Sequence, residues 1–245
     1  MPPRLYVDQP LSPGPVLSLP SGPARHVQVL RLQPGAALTL FNGAGGEWRA
    51  TVVHMGRSGV QVRVDEHHAV DRELPLPLTL ALGMPANERM DTLVEKATEL
   101  GAAAVQPLVC ERSVLRLSGE RAQKKVAHWQ GVAVAACEQS GRTRVPRVEP
   151  VRAFDDWLAQ LPAGDGAMRV VLSFAGSAPS LLANAGGVLC LSGPEGGLTE
   201  AEEAAAHQSG FVAVSLGPRV LRADTAPLAL LALLALSAPA QRSPR

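Results

Sequence analysis

The stretch VLCLSGPEGGLTEAE, residues 188–202, decides how the rest of the chain reads. Val188-Leu189-Cys190-Leu191 is a short apolar run with the length of a buried strand. A glycine-rich turn follows, and Thr199-x-x-Glu202 then opens an acidic helix as a capping box. Strand, glycine loop and helix together are a nucleotide-holding arrangement. Yet the loop lacks the Gly-Lys-Ser/Thr of a P-loop and the G-x-G-x-x-G of a dinucleotide fold. It carries a carboxylate, Glu195, where a phosphate would want a cation. The capping box also consumes donors that would otherwise bind an anion.

Gly193, Gly196 and Gly197 let backbone approach a ligand closely. Such a loop suits a flat, polar, largely neutral ligand such as adenine, and it tolerates a cation because Glu195 is nearby. S-adenosylmethionine (SAM) is both. A glycine turn serving geometry alone is the other reading that this stretch leaves open.

Working outward, residues 1–70 read as all-β. His26–Arg31, Ala37–Phe41, Trp48–Val53 and Val60–Val64 are strand-forming runs parted by Gly/Pro turns, which suggests a small barrel. Asp71–Pro77 reads as a linker. Beyond it Leu78–Met84 is an apolar strand. Asn87 is placed to cap a helix with Met90, Leu93, Val94, Ala97 and Leu100 on one face. Ser118 is placed to cap a long helix that ends at Gly141. Strands are expected at 103–109, 169–173, 188–191 and 211–216, with helices at 154–161, 200–208 and 227–236. Strands alternating with helices predict a parallel α/β sheet. Ligands bind beyond the carboxyl ends of such strands, where three loops stand: Phe174–Pro179, Ser192–Leu198 and Gly217–Thr225.

The formal net charge of +1 hides a basic centre. Residues 111–152 hold nine basic and four acidic side chains, which suits an anionic partner, although charge alone reads more readily as a solvated helix face. Arginine outnumbers lysine twenty to three, favouring planar, bidentate phosphate contacts. Cys110, Cys137 and Cys190 show no metal spacing, and the six histidines lie on no ligand pattern, so no metal is expected. The run Ala226–Ala240 is short and alanine-rich, reading as a buried helix rather than a membrane span. With no apolar signal core in MPPRLYVDQP, a cytoplasmic protein is expected.

The loop LGPRVLRADTA, 216–226, sets two arginines beside the start of the last helix, with Pro227 in its first turn. Thr225 or Asp224 is its expected cap. Taken with GPEGG at 193–197, this loop closely resembles the RsmE family of ribosomal RNA methyltransferases, of the SPOUT class. The likeness runs through RHVQVLRLQPGAALTLFNGAGGEW (25–48), ERMDTLVEKATELGAAAVQPLVCERSV (88–114) and ACEQSGRTRVPRVEP (136–150). It implies an N-terminal PUA-like RNA-binding β-barrel (1–72) and a C-terminal α/β SPOUT domain (73–245) tied in a deep trefoil knot. It also implies a homodimer that methylates N3 of one uridine in small-subunit (16S) ribosomal RNA on the assembled subunit.

By the same resemblance, SAM would be held by Leu172 and Ser173, by Leu191, Ser192, Gly193, Pro194, Glu195, Gly196 and Gly197, and by Leu216, Gly217, Leu221, Arg222, Thr225 and Ala226. Uridine N3 carries a proton, so Glu195 is the candidate base or the partner of the sulfonium charge. Arg112 and Arg222 are candidates to stabilise charge on the uracil oxygens. Arg4, Arg25, His26, Arg31, Arg112, Gln139 and Arg142 are the candidate RNA contacts. Two departures stand out: Ala223-Asp224 where relatives have Thr-Glu, and Ala86 where relatives often have lysine. The alternatives are a SPOUT enzyme acting on transfer RNA or ribose, and a non-catalytic RNA-binding assembly factor.

Overall fold

The computed structural model describes residues 2–57, 59–162, 166–178 and 186–237. The chain forms two compact units: one of residues 2–73 and 137–145, the other of residues 74–136 and 146–237. Pro179, Ser58 and the last residues of the C-terminal apolar run lie outside the described residues.

The first unit is a five-stranded sheet in the order β1-β3-β4-β5-β2. Its strands are β1 (Arg4–Tyr6), β2 (Val16–Ser18), β3 (Ala37–Phe41), β4 (Glu47–Gly56) and β5 (Gly59–His68). Period-2 alternation drives it: Leu38 and Leu40, then Ala50 and Val52, then Val60, Val62 and Val64 all face one core with Leu5 and Trp48. One expectation fails here. His26–Arg31 belongs to no strand; Ser21–Val29 is helix α1. A strand would place Val27 and Val29 on one face. Instead Val27 is buried while Val29 is 70% exposed, and Ala24 and Val27, three apart, face the core. Packing of that apolar pair overrides the β propensity of the valines.

The second unit is a parallel sheet ordered β12-β10-β11-β6-β7-β8, with β9 also pairing β7. Its strands are β6 (Leu78–Gly83), β7 (Ala104–Val109), β8 (Arg147–Val148), β9 (Arg152–Ala153), β10 (Met168–Ser177), β11 (Val188–Ser192) and β12 (Val212–Val214). The central strands β6 and β11 read as unbroken apolar runs because both sheet faces are covered. Its helices are α2 (Asn87–Glu99), α3 (Gly119–Ser140), α4 (Phe154–Ala159), α5 (Glu200–Gln208) and α6 (Thr225–Ser237). The buried face of α3 carries Trp129, Ala133 and Cys137, at the spacing expected. The cap of α2 is Ala86, with Asn87 the first helical residue, so the expected Asn87 cap is not realised.

Candidate active site

Strand β10 and the loops that follow β11 and β12 line one cavity of about 670 Å³. The loop expected from Phe174 is strand instead, since β10 runs on to Ser177 and meets the cavity with Leu172, Ser173 and Phe174. That size falls within the roughly 300–1,000 Å³ of small-molecule sites. The floor is the glycine loop 192–198. Gly193 cannot carry a side chain: a Cβ there would stand 2.8 Å from the Leu198 amide nitrogen and 2.9 Å from the Gly197 carbonyl carbon. The loop turns on a hydrogen bond from the Gly197 amide to the Pro194 carbonyl at 2.8 Å. The capping box then forms as expected. Thr199 accepts from the Glu202 amide and the Glu202 carboxylate accepts from the Thr199 amide.

Two neighbouring segments clamp this loop. Below it, Gly83 at the end of β6 abuts Pro194, leaving 2.5 Å between a would-be Cβ and the proline Cδ. Beside it, Glu195 Oε1 accepts from the Ala86 amide at 3.0 Å and stands 3.7 Å from Arg89. From the other side, Arg112 Nη1 donates to the Gly196 and Leu198 carbonyls, each at 3.1 Å. Arg112 therefore acts as a brace for the loop, a use of its guanidinium that its basic character alone does not announce.

The loop after β12 carries the free charge. Arg219 and Arg222 both line the cavity and are exposed, and neither side chain makes a hydrogen bond or ion pair among the described residues. The Arg222 carbonyl accepts from the Thr225 and Ala226 amides, which fixes the turn into α6. Asp224 occupies the cap position, but its Oδ1 is buried without a partner. Pro227 explains this, since the third helical position offers no N–H.

Most of the expected SAM positions border the cavity: Leu172, Ser173, Ser192 to Gly197, Leu216, Gly217, Leu221, Arg222 and Ala226. Two do not. Leu191 is fully buried in the sheet core, and Thr225 is exposed at the start of α6. Arg89, Phe174, Glu203 and Arg219 border it without having been expected. Arg219 sits three residues before Arg222, and that proximity was the available signal. Burial, and then the Glu202 charge, push the Cys110 thiol up to about 12, so it holds no thiolate near neutral pH.

The expected RNA contacts divide. Arg25, His26, Arg31 and Gln139 are exposed. Arg142 corrects its expectation: it is 4% exposed and ion-paired with Glu73, so it has no open side to offer a phosphate. Arg4 is likewise engaged, with Glu47 and with the Gly141 and Arg142 carbonyls. Among the described residues no His/Cys/Asp/Glu group could hold a metal, and no helix is long and apolar enough to cross a membrane.

Residues 72–235 match the RNA methyltransferase domain, and residues 24–65 match the RNA methyltransferase PUA domain. The class is thus the RNA methyltransferases that join a parallel α/β domain to a PUA domain. Among curated relatives, the ribosomal RNA small subunit methyltransferase E of Bacillus subtilis is 33% identical over 90% of each chain. The Synechocystis protein of the same name is 36% identical over 84% of this chain and 67% of its own. The Neisseria gonorrhoeae ribosomal RNA small subunit methyltransferase E, solved bound to S-adenosyl methionine, aligns with a TM-score of 0.89 at 36% identity, over 96% of this chain and 97% of that one. A putative methyltransferase of Legionella pneumophila, solved with bound SAM, aligns at 0.91 and 32% identity over 97% and 98%. This chain belongs to the ribosomal RNA small subunit methyltransferase E family.

Proposed function

We propose that the protein transfers a methyl group from SAM to N3 of one uridine in small-subunit ribosomal RNA, acting on the assembled subunit. The observation that carries this reading is the convergence of strand β10 and two strand-end loops on one cavity. Backbone groups of a glycine-rich loop form its floor, and two unpaired arginines stand on its rim. The cavity fits the donor: it has room for it, a neutral backbone surface for adenine, and Glu195 and Glu203 to face a cation. Residues 192–197, Leu216, Gly217 and Leu221 would hold it, and it supplies an electrophilic methyl on a sulfonium sulfur.

The chain's own part is positioning and proton management. Glu195 Oε1 is committed to the Ala86 amide; Oε2 makes no hydrogen bond among the described residues and takes the uridine N3 proton. Arg222 offsets the charge that loss of this proton leaves on the uracil oxygens. Arg112 keeps the loop in place rather than touching the base. The unit of residues 2–73 and 137–145 serves as the RNA-gripping part, with Arg25, His26 and Arg31 on its surface, and the unit of residues 74–136 and 146–237 carries the chemistry. A knotted domain, a homodimer and a cytoplasmic setting complete the reading, supported by family membership.

The test is incubation of the protein and labelled SAM with small ribosomal subunits lacking this modification, followed by nucleoside analysis by mass spectrometry. The expected product is 3-methyluridine, lost in Arg222→Gln. A methylated ribose or a transfer RNA product would redirect the substrate, and absence of SAM binding would leave an RNA-binding assembly factor.

A further inference from the structure

In the first unit, several cations are already spent on carboxylates and carbonyls. Arg142 is held by Glu73, Arg4 by Glu47, and Arg72 by Glu47 and the Gly141 carbonyl. Arg144 differs. It is exposed, and its side chain makes no hydrogen bond or ion pair among the described residues.

It is nonetheless not loose. The Gly45 amide donates to the Thr143 carbonyl at 3.2 Å, and Gly43 and Ala44 form β-bridges with Arg144. The guanidinium then lies against the turn. Its Nη2, Cζ and Nε come 2.8, 3.0 and 3.2 Å from where a Cβ on Gly45 would stand, so its plane faces the backbone. The imidazole of His67 meets the next residue differently: Nε2 is the ring atom nearest the would-be Cβ of Gly46, with Cε1 and Cδ2 farther off, so the ring approaches edge-on and Nε2 is turned toward the backbone, while its centroid lies 4.6 Å from that of Trp48. Gly45 and Gly46 have φ of 101° and 73°. Any side chain at these angles is strained, and its Cβ would also evict the guanidinium or the imidazole.

We propose that Arg144, seated on the Gly45–Gly46 turn, forms a binding site for the phosphodiester backbone of an RNA strand; this rests on the RNA methyltransferase reading above. A guanidinium resting on its face keeps its donor edge free for bidentate phosphate contact. The bare glycine backbone lets a strand come close. The neighbouring carboxylates Glu47 and Glu73 are neutralised by Arg4, Arg72 and Arg142, so they do not oppose an anion.

The experiment is steady-state methylation of small ribosomal subunits lacking the modification, across a salt series. Arg144→Gln is expected to raise KM for subunits about tenfold, and to flatten log(kcat/KM) against log[salt] by about one unit. Its kcat and its KM for SAM stay unchanged. Gly45→Ala keeps every charge but displaces the guanidinium, and is expected to shift KM in the same direction. Arg144→Gln with unchanged KM and salt slope overturns the proposal, as does a fall in kcat alone. Wild-type protein that methylates nothing overturns the reading beneath it, and that shows before any variant is made.

Discussion

Glu195 Oε1 accepts a hydrogen bond from the Ala86 amide at 3.0 Å, so the one carboxylate in the glycine loop is also its strut. The two roles separate by substitution. Glu195→Gln keeps a carbonyl oxygen for the Ala86 amide and loses the base. Turnover is expected to fall roughly 10²–10⁴-fold, and SAM affinity by titration calorimetry to weaken far less, because Glu203 still faces the cation. Full turnover in this variant would leave Glu195 a strut alone.

Gly83 has no place for a methyl group, since a Cβ would meet Pro194 Cδ at 2.5 Å and Pro194 N at 2.6 Å, the latter being backbone that cannot step aside. Gly83→Ala is expected to cost about 1–3 kcal/mol of stability by overpacking and to weaken SAM binding by displacing the loop. Urea denaturation and a SAM titration on the same sample check both; unaltered SAM affinity would mean that the loop tolerates the shift.

Glu202 is 7% exposed and uses both oxygens, one on the Thr199 amide and one on the Glu111 amide at 2.8 Å, ninety-one residues away in sequence. It thereby joins the start of α5 to the segment that carries Arg112. Thr199→Ala should cost about 1 kcal/mol, the ordinary value of a helix cap. Glu202→Gln should cost more, because an amide cannot accept from both amides at once. Equal denaturation midpoints for the two variants would contradict this.

The Glu47 carboxyl sits between Arg4 and Arg72. Burial by itself would raise it, but hydrogen bonds and charge from Arg4, then Arg72, outweigh that and hold it below its ordinary 4.5. A lowered native value means stability present above the unfolded value and lost as pH falls through the native one. The barrel should therefore weaken below about pH 4.5, and Glu47→Gln should flatten that acid limb. At neutral pH the same variant should lose about 1–3 kcal/mol, because Arg4 is left without its charged acceptor. Denaturation followed at several pH values reads both effects.

Much of the parallel sheet was legible in the residues. Leu78–Gly83 and Val188–Ser192 are continuous apolar runs, and a run of that length between turn signals has few other uses. The capping box at Thr199 and Glu202 was legible because it is local chemistry. Less legible were the three-residue strands β1 and β2, which carry too few positions to show a period. Helix α1 was masked by its valines.

The chain's own order of residues determined the glycine loop and the helix that follows it, since glycine spacing and a helix cap act within a few residues of each other. Tertiary structure alone decided which charges remain available. Arg142 and Arg144 are two residues apart and look alike in sequence. One is buried against Glu73 and the other lies exposed on a glycine turn. Arg112, Gly196 and Leu198 meet across eighty-four and eighty-six residues. An arginine's role depends on which carboxylates and carbonyls the fold brings within hydrogen-bond reach, and that distance is not written in any local pattern.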